Sequence, residues 1–228
     1  MLYRLNYNSF LFITLAFCFC FASLIAQPVA DEDNVALDYD YLLLGGSWQR
    51  NSMSKARFDV GSVGAIISKK VSKNGVVTIS PSLGNADIDI LPKDNADVVQ
   101  LGAGYGYIVE MKENLHIVPS IGLNYQTVTF RSDDFDGIAL QPSVAFNYAP
   151  LERLQLTASL NYYRTLTGSK IRTTVKGVSG EIGFEKGHHD LGLGLGIRAG
   201  ITKNIGLNIG TVFVAGLQNF LGGFSYHF

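Results

Sequence analysis

The stretch Arg153 to Arg164, RLQLTASLNYYR, alternates without a break: Leu154, Leu156, Ala158, Leu160 and Tyr162 fall on one face, Gln155, Thr157, Ser159, Asn161 and Tyr163 on the other. A period of two is that of a β-strand with unlike faces. The pattern recurs in LHIVPSIGLNYQTVTF, Leu115 to Phe130, and in HDLGLGLGIRAGI, His189 to Ile201. In each, the face opposite the large apolar residues carries Gly, Ser, Thr, Asn and Gln. A soluble sandwich would bury its large side chains and charge its outer face. Here the small polar face suits a narrow interior and the large apolar face suits lipid, the inside-out arrangement of a transmembrane barrel.

Composition agrees. Among 228 residues there are 25 Gly, 14 Phe and 11 Tyr, only 16% are charged, and the net charge of −1 offers nucleic acid no attraction. Past the N-terminus no run approaches the roughly 18 apolar residues of a spanning helix. At the N-terminus, Arg4 precedes FLFITLAFCFCFASLIA and then the polar QPVADEDN, the pattern of an export signal. Residues 1–26 are expected to be this cleaved signal peptide, with cleavage after Ala22 or an uncleaved anchor as alternatives. Residues 27–36 then form a periplasmic lead, and 37–228 the barrel. Both cysteines, Cys18 and Cys20, lie inside the signal, leaving no disulfide to the exported chain.

Turns sort into short polar ones (SKKVSKNG, EMKEN, APLER, ITKN) and longer, more acidic ones (RNSMSKAR, NADIDILPKDNAD, RSDDFDG and the run from Thr165 to Asp190). Their alternation gives five hairpins, hence an all-β, antiparallel, up-and-down barrel of ten strands, with eight as the alternative count. Short turns and both termini belong in the periplasm, long loops outside. Within the longest loop, KIRTTV and GVSGEIGF are read as strand extensions above the membrane. Pro81, Pro119 and Pro142, each followed or preceded by a mid-strand Ser or Gln, are read as bulges. Tyr39, Tyr41, Trp48, Tyr105, Tyr107, Tyr125, Tyr148, Tyr162 and Tyr226 are read as headgroup-level girdles.

The chain ends GGFSYHF, Gly222 to Phe228. Gly223, Tyr226 and the terminal Phe228 resemble the C-terminal assembly signal of Gram-negative outer-membrane barrels, although Leu221 stands where a polar residue is usual. With the export signal and the hairpins, the exported chain resembles the small porin-like superfamily that includes outer membrane protein A-type barrels. That resemblance implies an outer-membrane address, insertion by the barrel-assembly machinery, lipid and lipopolysaccharide as surroundings, a monomer, and no cofactor or catalytic motif.

Ionisable residues assigned to the interior, Asp38, Asp40, Asp59, His116 and Arg198, form a candidate charge network in which Arg198 pairs with carboxylates to plug the lumen. If they line water instead, the barrel is a narrow passive pore. Asp87 and Asp89, with His188 to Asp190, bear a faint resemblance to the omptin outer-membrane proteases, but the spacing around the His–Asp couple departs from that family and the chain is shorter. His188 and His189 are adjacent on extended chain and point apart, which argues against one shared metal. The expected role is therefore non-enzymatic, structural or surface-interacting, with the loop from Thr165 to Asp190 presented to an extracellular ligand.

Overall fold

The computed structural model describes residues 37–53, 56–88, 96–130, 133–175, 178–214 and 217–228. The expected signal peptide and lead, residues 1–36, and Asp89 lie outside them. Thirteen strands form in chain order: β1 Tyr41–Met53, β2 Ala56–Lys70, β3 Gly75–Ile88, β4 Ala96–Tyr107, β5 Val109–Lys112, β6 Leu115–Phe130, β7 Asp133–Leu151, β8 Leu154–Gly168, β9 Lys170–Val175, β10 Val178–Gly183, β11 His189–Gly200, β12 Ile205–Val214 and β13 Leu217–His227. One antiparallel sheet takes all but β9 and β10, in the order β4-β3-β2-β1-β13-β12-β11-β8-β7-β6-β5, and β4 also pairs with β6. That last pairing closes the sheet. Because β5 merely continues β4 past Ile108, the closed wall has ten crossings. β9 and β10 pair with each other alone, as an extension outside the wall.

The alternation read from the sequence sets the two faces. Leu191, Leu193, Leu195 and Ile197 on β11, Leu156 and Leu160 on β8, Ile121 and Leu123 on β6, and Phe220, Phe224 and Tyr226 on β13 are exposed on the outside. The apolar run that starts on β11, Leu191 to Ile201 just past its end, covers roughly 25 Å once its rise of about 3.3 Å per residue is tilted, the height of a hydrocarbon band. A closed sheet leaves no unpaired backbone to lipid. The molecule is thus an integral outer-membrane β-barrel, and the end that carries its short turns and its C-terminus is taken as the periplasmic end, the side short turns occupy in such barrels.

The closing seam joins the last strand to the first, from Tyr41 opposite His227 to Asn51 opposite Leu217. The mid-strand prolines behave differently from expectation. Residue pairing on either side of Pro81 and Pro142 keeps the same register, and Pro119 pairs in line with Val144, so none of them inserts an extra residue. The wall bulges instead where β7 meets β8, between Ile138 and Ala139 opposite Thr167 and Thr165.

Candidate functional site

The lumen is the candidate site, and it is built in three levels. At the periplasmic end the four residues before β1, Leu37 to Asp40, turn into the barrel. Leu37 packs on Ala149, and Tyr39 packs among Val76, Ile108 and Val118. Asn147 Nδ2 donates to the Tyr39 hydroxyl at 3.2 Å, which lies 3.2 Å from His116 Nδ1. The chain of bonds runs on through Gln155 and Thr157, both of which donate to Asn147 Oδ1 at 2.8 Å. Burial pushes the Tyr39 hydroxyl up to about 12, so it stays neutral at physiological pH.

Beside it, five residues form a hydrogen-bonded ring that starts and ends on Asp38. Arg198 donates through Nη1 to the Asp38 carbonyl and through Nε to Asn208 Oδ1, both at 2.9 Å. Asn208 Nδ2 donates to Ser225 Oγ at 2.9 Å, Ser225 Oγ lies 3.2 Å from His227 Nε2, and His227 Nδ1 lies 3.0 Å from Asp38 Oδ2. The Arg198 guanidinium also stacks 4.1 Å above the Tyr41 ring. Ser225, His227 and Asp38 are connected as in an acyl-transfer relay. Yet Ser225 is 1% and His227 3% exposed, and the serine oxygen is already an acceptor for Asn208. The ring locks the lead to β11, β12 and β13.

Above this floor lies a cavity of about 240 Å³, walled by the inner backbone of Gly102, Gly104, Gly106 and Gly122 and by Thr78, Ser80, Ser120, Asn124, Gln141 and Ser143. No formal charge lines it. Its polar groups bond largely to one another: Ser120 with Ser143 at 2.6 Å, Asn124 to Gln141, and Gln141 Nε2 to the Tyr163 hydroxyl at 3.1 Å.

At the extracellular level one side of the lumen, from β2 to β7, is apolar, and across from it Gln49 and Asn219 share the level of Val60. Val60, Ala86, Ala96, Val98, Val128, Phe130 and Phe135 turn inward and bury one another, and Phe184 packs against them from the segment between β10 and β11. Sequence reasoning missed this roof. The signal was available in the parity of the strands: Val128 and Phe130 continue the inward series Ser120, Gly122, Asn124 of β6, and Val98 continues that of β4.

The expected network divides. Asp38 and Arg198 meet, but at the Asp38 carbonyl rather than its carboxylate. His116 joins Tyr39. Asp40 pairs with Lys69 at 3.2 Å near the periplasmic rim. Asp59 stands across from Arg50, at 3.1 Å, on the outer face near the other rim, because Arg50 shares the parity of Trp48, which stacks on the exposed Phe220. Tyr39 and Tyr41 likewise face inward and are not girdle residues, whereas Tyr105, Tyr107, Tyr125, Tyr148 and Tyr226 are exposed outside.

At the C-terminus Gly223 pairs with Gly45 across the seam, Tyr226 lies on the outer face, and the Phe228 ring sits 5.1 Å from Lys69 Nζ. Of the protease-like residues, His188 and Asp190 form a 2.7 Å pair and Asp87 is exposed on β3; among the described residues no contact joins them. No group of His, Cys, Asp and Glu among the described residues could hold a metal.

No protein-family model and no curated protein matches the chain. Among solved structures, the translocator domain of autotransporter NalP from Neisseria meningitidis is 10% identical, with 96% of each chain covered and a TM-score of 0.47. An outer membrane channel from Pseudomonas putida F1 is 8% identical over 88% of this chain and 100% of that one, TM-score 0.48. The outer membrane protease OmpT from Escherichia coli is 10% identical over 82% and 95%, TM-score 0.46.

Proposed function

We propose that this barrel is a non-enzymatic, non-conducting outer-membrane scaffold that holds its extracellular loops, chiefly the segment from Thr165 to Asp190, for contact with a surface ligand. The observation that supports this reading is a lumen narrowed at both ends: a hydrogen-bonded floor around Tyr39 and Asp38, and an apolar cluster around Phe130, Phe135 and Phe184 that fills one side of the extracellular level. A diffusive pore needs a continuous wet path, and an interdigitated apolar layer excludes water. Lipopolysaccharide surrounds the wall, and the barrel-assembly machinery reads Gly223, Tyr226 and Phe228 during insertion.

Planar-bilayer recording of the purified protein tests the reading. Silence at moderate voltage is expected, and steady single-channel currents would overturn it in favour of a narrow passive pore. Deleting Ser169 to Lys186 should abolish a surface interaction while leaving heat-modifiable gel migration intact. Cleavage of a peptide that is lost in both Asp87→Ala and His188→Ala would instead establish an omptin-like protease.

A further inference from the structure

The roof has one member that is not part of the wall. Seven of its side chains are fixed by strands β2, β3, β4, β6 and β7, whereas Phe184 arrives on the strap that returns from β10 to β11. Its ring lies 5.7 Å from that of Phe135 and over the inner faces of Gly137 and Gly168. A Cβ on Gly137 would come within 2.8 Å of the ring, and one on Gly168 would collide with the Phe184 carbonyl. Two glycines thus form part of its seat, where any side chain would displace it.

The strap itself is jointed. Gly183 and Gly187, on either side of Phe184, have φ of +152° and +83°, conformations that glycine reaches at no steric cost. Phe184 N donates to the Ser169 carbonyl at 3.0 Å, and the strap is tied to the wall at its base, where Gly187 N donates to the Thr165 carbonyl at 2.8 Å and Thr165 N to the His188 carbonyl at 2.9 Å. Below the ring is the uncharged, hydroxyl- and amide-lined cavity of about 240 Å³.

We propose that Phe184 is a removable stopper of the extracellular mouth, hinged at Gly183 and Gly187, whose withdrawal opens the lumen cavity to small neutral polar solutes from outside. This rests on the closed-barrel reading. Withdrawal takes one ring off two glycines and requires no rearrangement of the wall, because the other roof residues stay packed on their own strands. Opening is then a local equilibrium, which shifts when the seated state loses its contacts.

The test places a single cysteine in the cavity, Ser80→Cys, in a chain with C18S and C20S, and follows its modification by a small neutral alkyl methanethiosulfonate in the protein purified from membranes. Slow modification is expected, and about tenfold faster modification when Phe184→Ala is added. Gly168→Ala, which spoils the seat but keeps the ring and every other wall residue, should accelerate it similarly, and it serves if the Phe184 variant fails to fold.

Fast modification of Ser80→Cys alone would overturn the closed barrel itself. Equally slow modification with Phe184→Ala and with Gly168→Ala would overturn the stopper and leave the closed barrel standing. Acceleration by the wall substitution Phe130→Ala but not by Gly168→Ala would likewise overturn it, since any loss of roof volume would then suffice.

Discussion

Gly45 and Gly223 face each other across the seam at a distance that leaves no room for a side chain on either: a Cβ on Gly223 would lie 2.4 Å from the Leu44 carbonyl oxygen, and one on Gly45 2.4 Å from that of Gly222. Gly223 also belongs to the proposed assembly signal, and the geometry of closure by itself requires a glycine there. Gly223→Val should force the first and last strands apart, at a cost of about 1–3 kcal/mol from overpacking alone. The check is heat-modifiable gel migration after refolding in detergent, where the folded band should be lost or greatly reduced; an undiminished folded band would refute the tight seam.

Phe228 is half-buried just past the end of β13. Its ring meets Lys69 and, at 6.5 Å between centroids, Tyr226. Deleting it should therefore cost the refolded barrel only about 0.5–1 kcal/mol, the worth of an exposed cation–π contact, while sharply lowering the fraction recovered in the outer membrane of cells. Equal losses in refolding and in cells would show that the residue acts through stability rather than recognition.

His227→Ala breaks the five-residue ring at two points, leaving Ser225 and the Asp38 carboxylate each short of a partner. A destabilisation of about 1–3 kcal/mol is expected in urea. Arg198→Met, which removes the ring's cation, should have a comparable effect, and the double variant should fall well short of the sum because both act on one network. Strict additivity would separate the two halves of the ring.

Tyr39 gives the floor a pH dependence. Its hydroxyl titrates at about 12 in the folded chain against the ordinary value of 10.0. Between those values the folded state keeps a proton that the unfolded chain has lost. The stabilisation is therefore complete below pH 10 and is lost as the pH climbs through the folded value. Wild type should lose up to about 2–3 kcal/mol more than Tyr39→Phe across that window, and parallel curves for the two proteins would place the tyrosine in water. At neutral pH Tyr39→Phe should itself cost about 1 kcal/mol or more, since Asn147 and His116 lose their shared partner.

The ten-stranded wall was legible because β6, β8 and β11 each repeat one contrast, Leu or Ile against Gly, Ser, Thr, Asn or Gln, over a full membrane crossing. The floor and the apolar cluster above the cavity were not legible, for different physical reasons. In β1 the run Leu42, Leu43, Leu44 is apolar on both faces, so the parity of the chain before it is undetermined, and Tyr39 reads as a girdle residue although it is a floor residue. In β6 the alternation decays at Thr127, Val128, Thr129 and Phe130, where inward and outward residues exchange character. Only a count carried forward from Ser120 shows that Val128 and Phe130 turn inward. Asp59 was misplaced similarly: a carboxylate on a barrel strand suggests water inside, but its partner Arg50 lies beyond the apolar band, where the outer face is wet as well. Phe184 could not be found by parity at all, since it belongs to no strand.

A lumen closed as we propose has a consequence at the scale of the cell envelope. An open channel makes every additional copy a leak, so its abundance is bounded by the toxins and detergents it would admit. A barrel whose floor is tied by Asp38 and Tyr39 and whose roof is closed by Phe130 and Phe184 separates abundance from permeability. Such a protein can be displayed densely without eroding the barrier in which it sits.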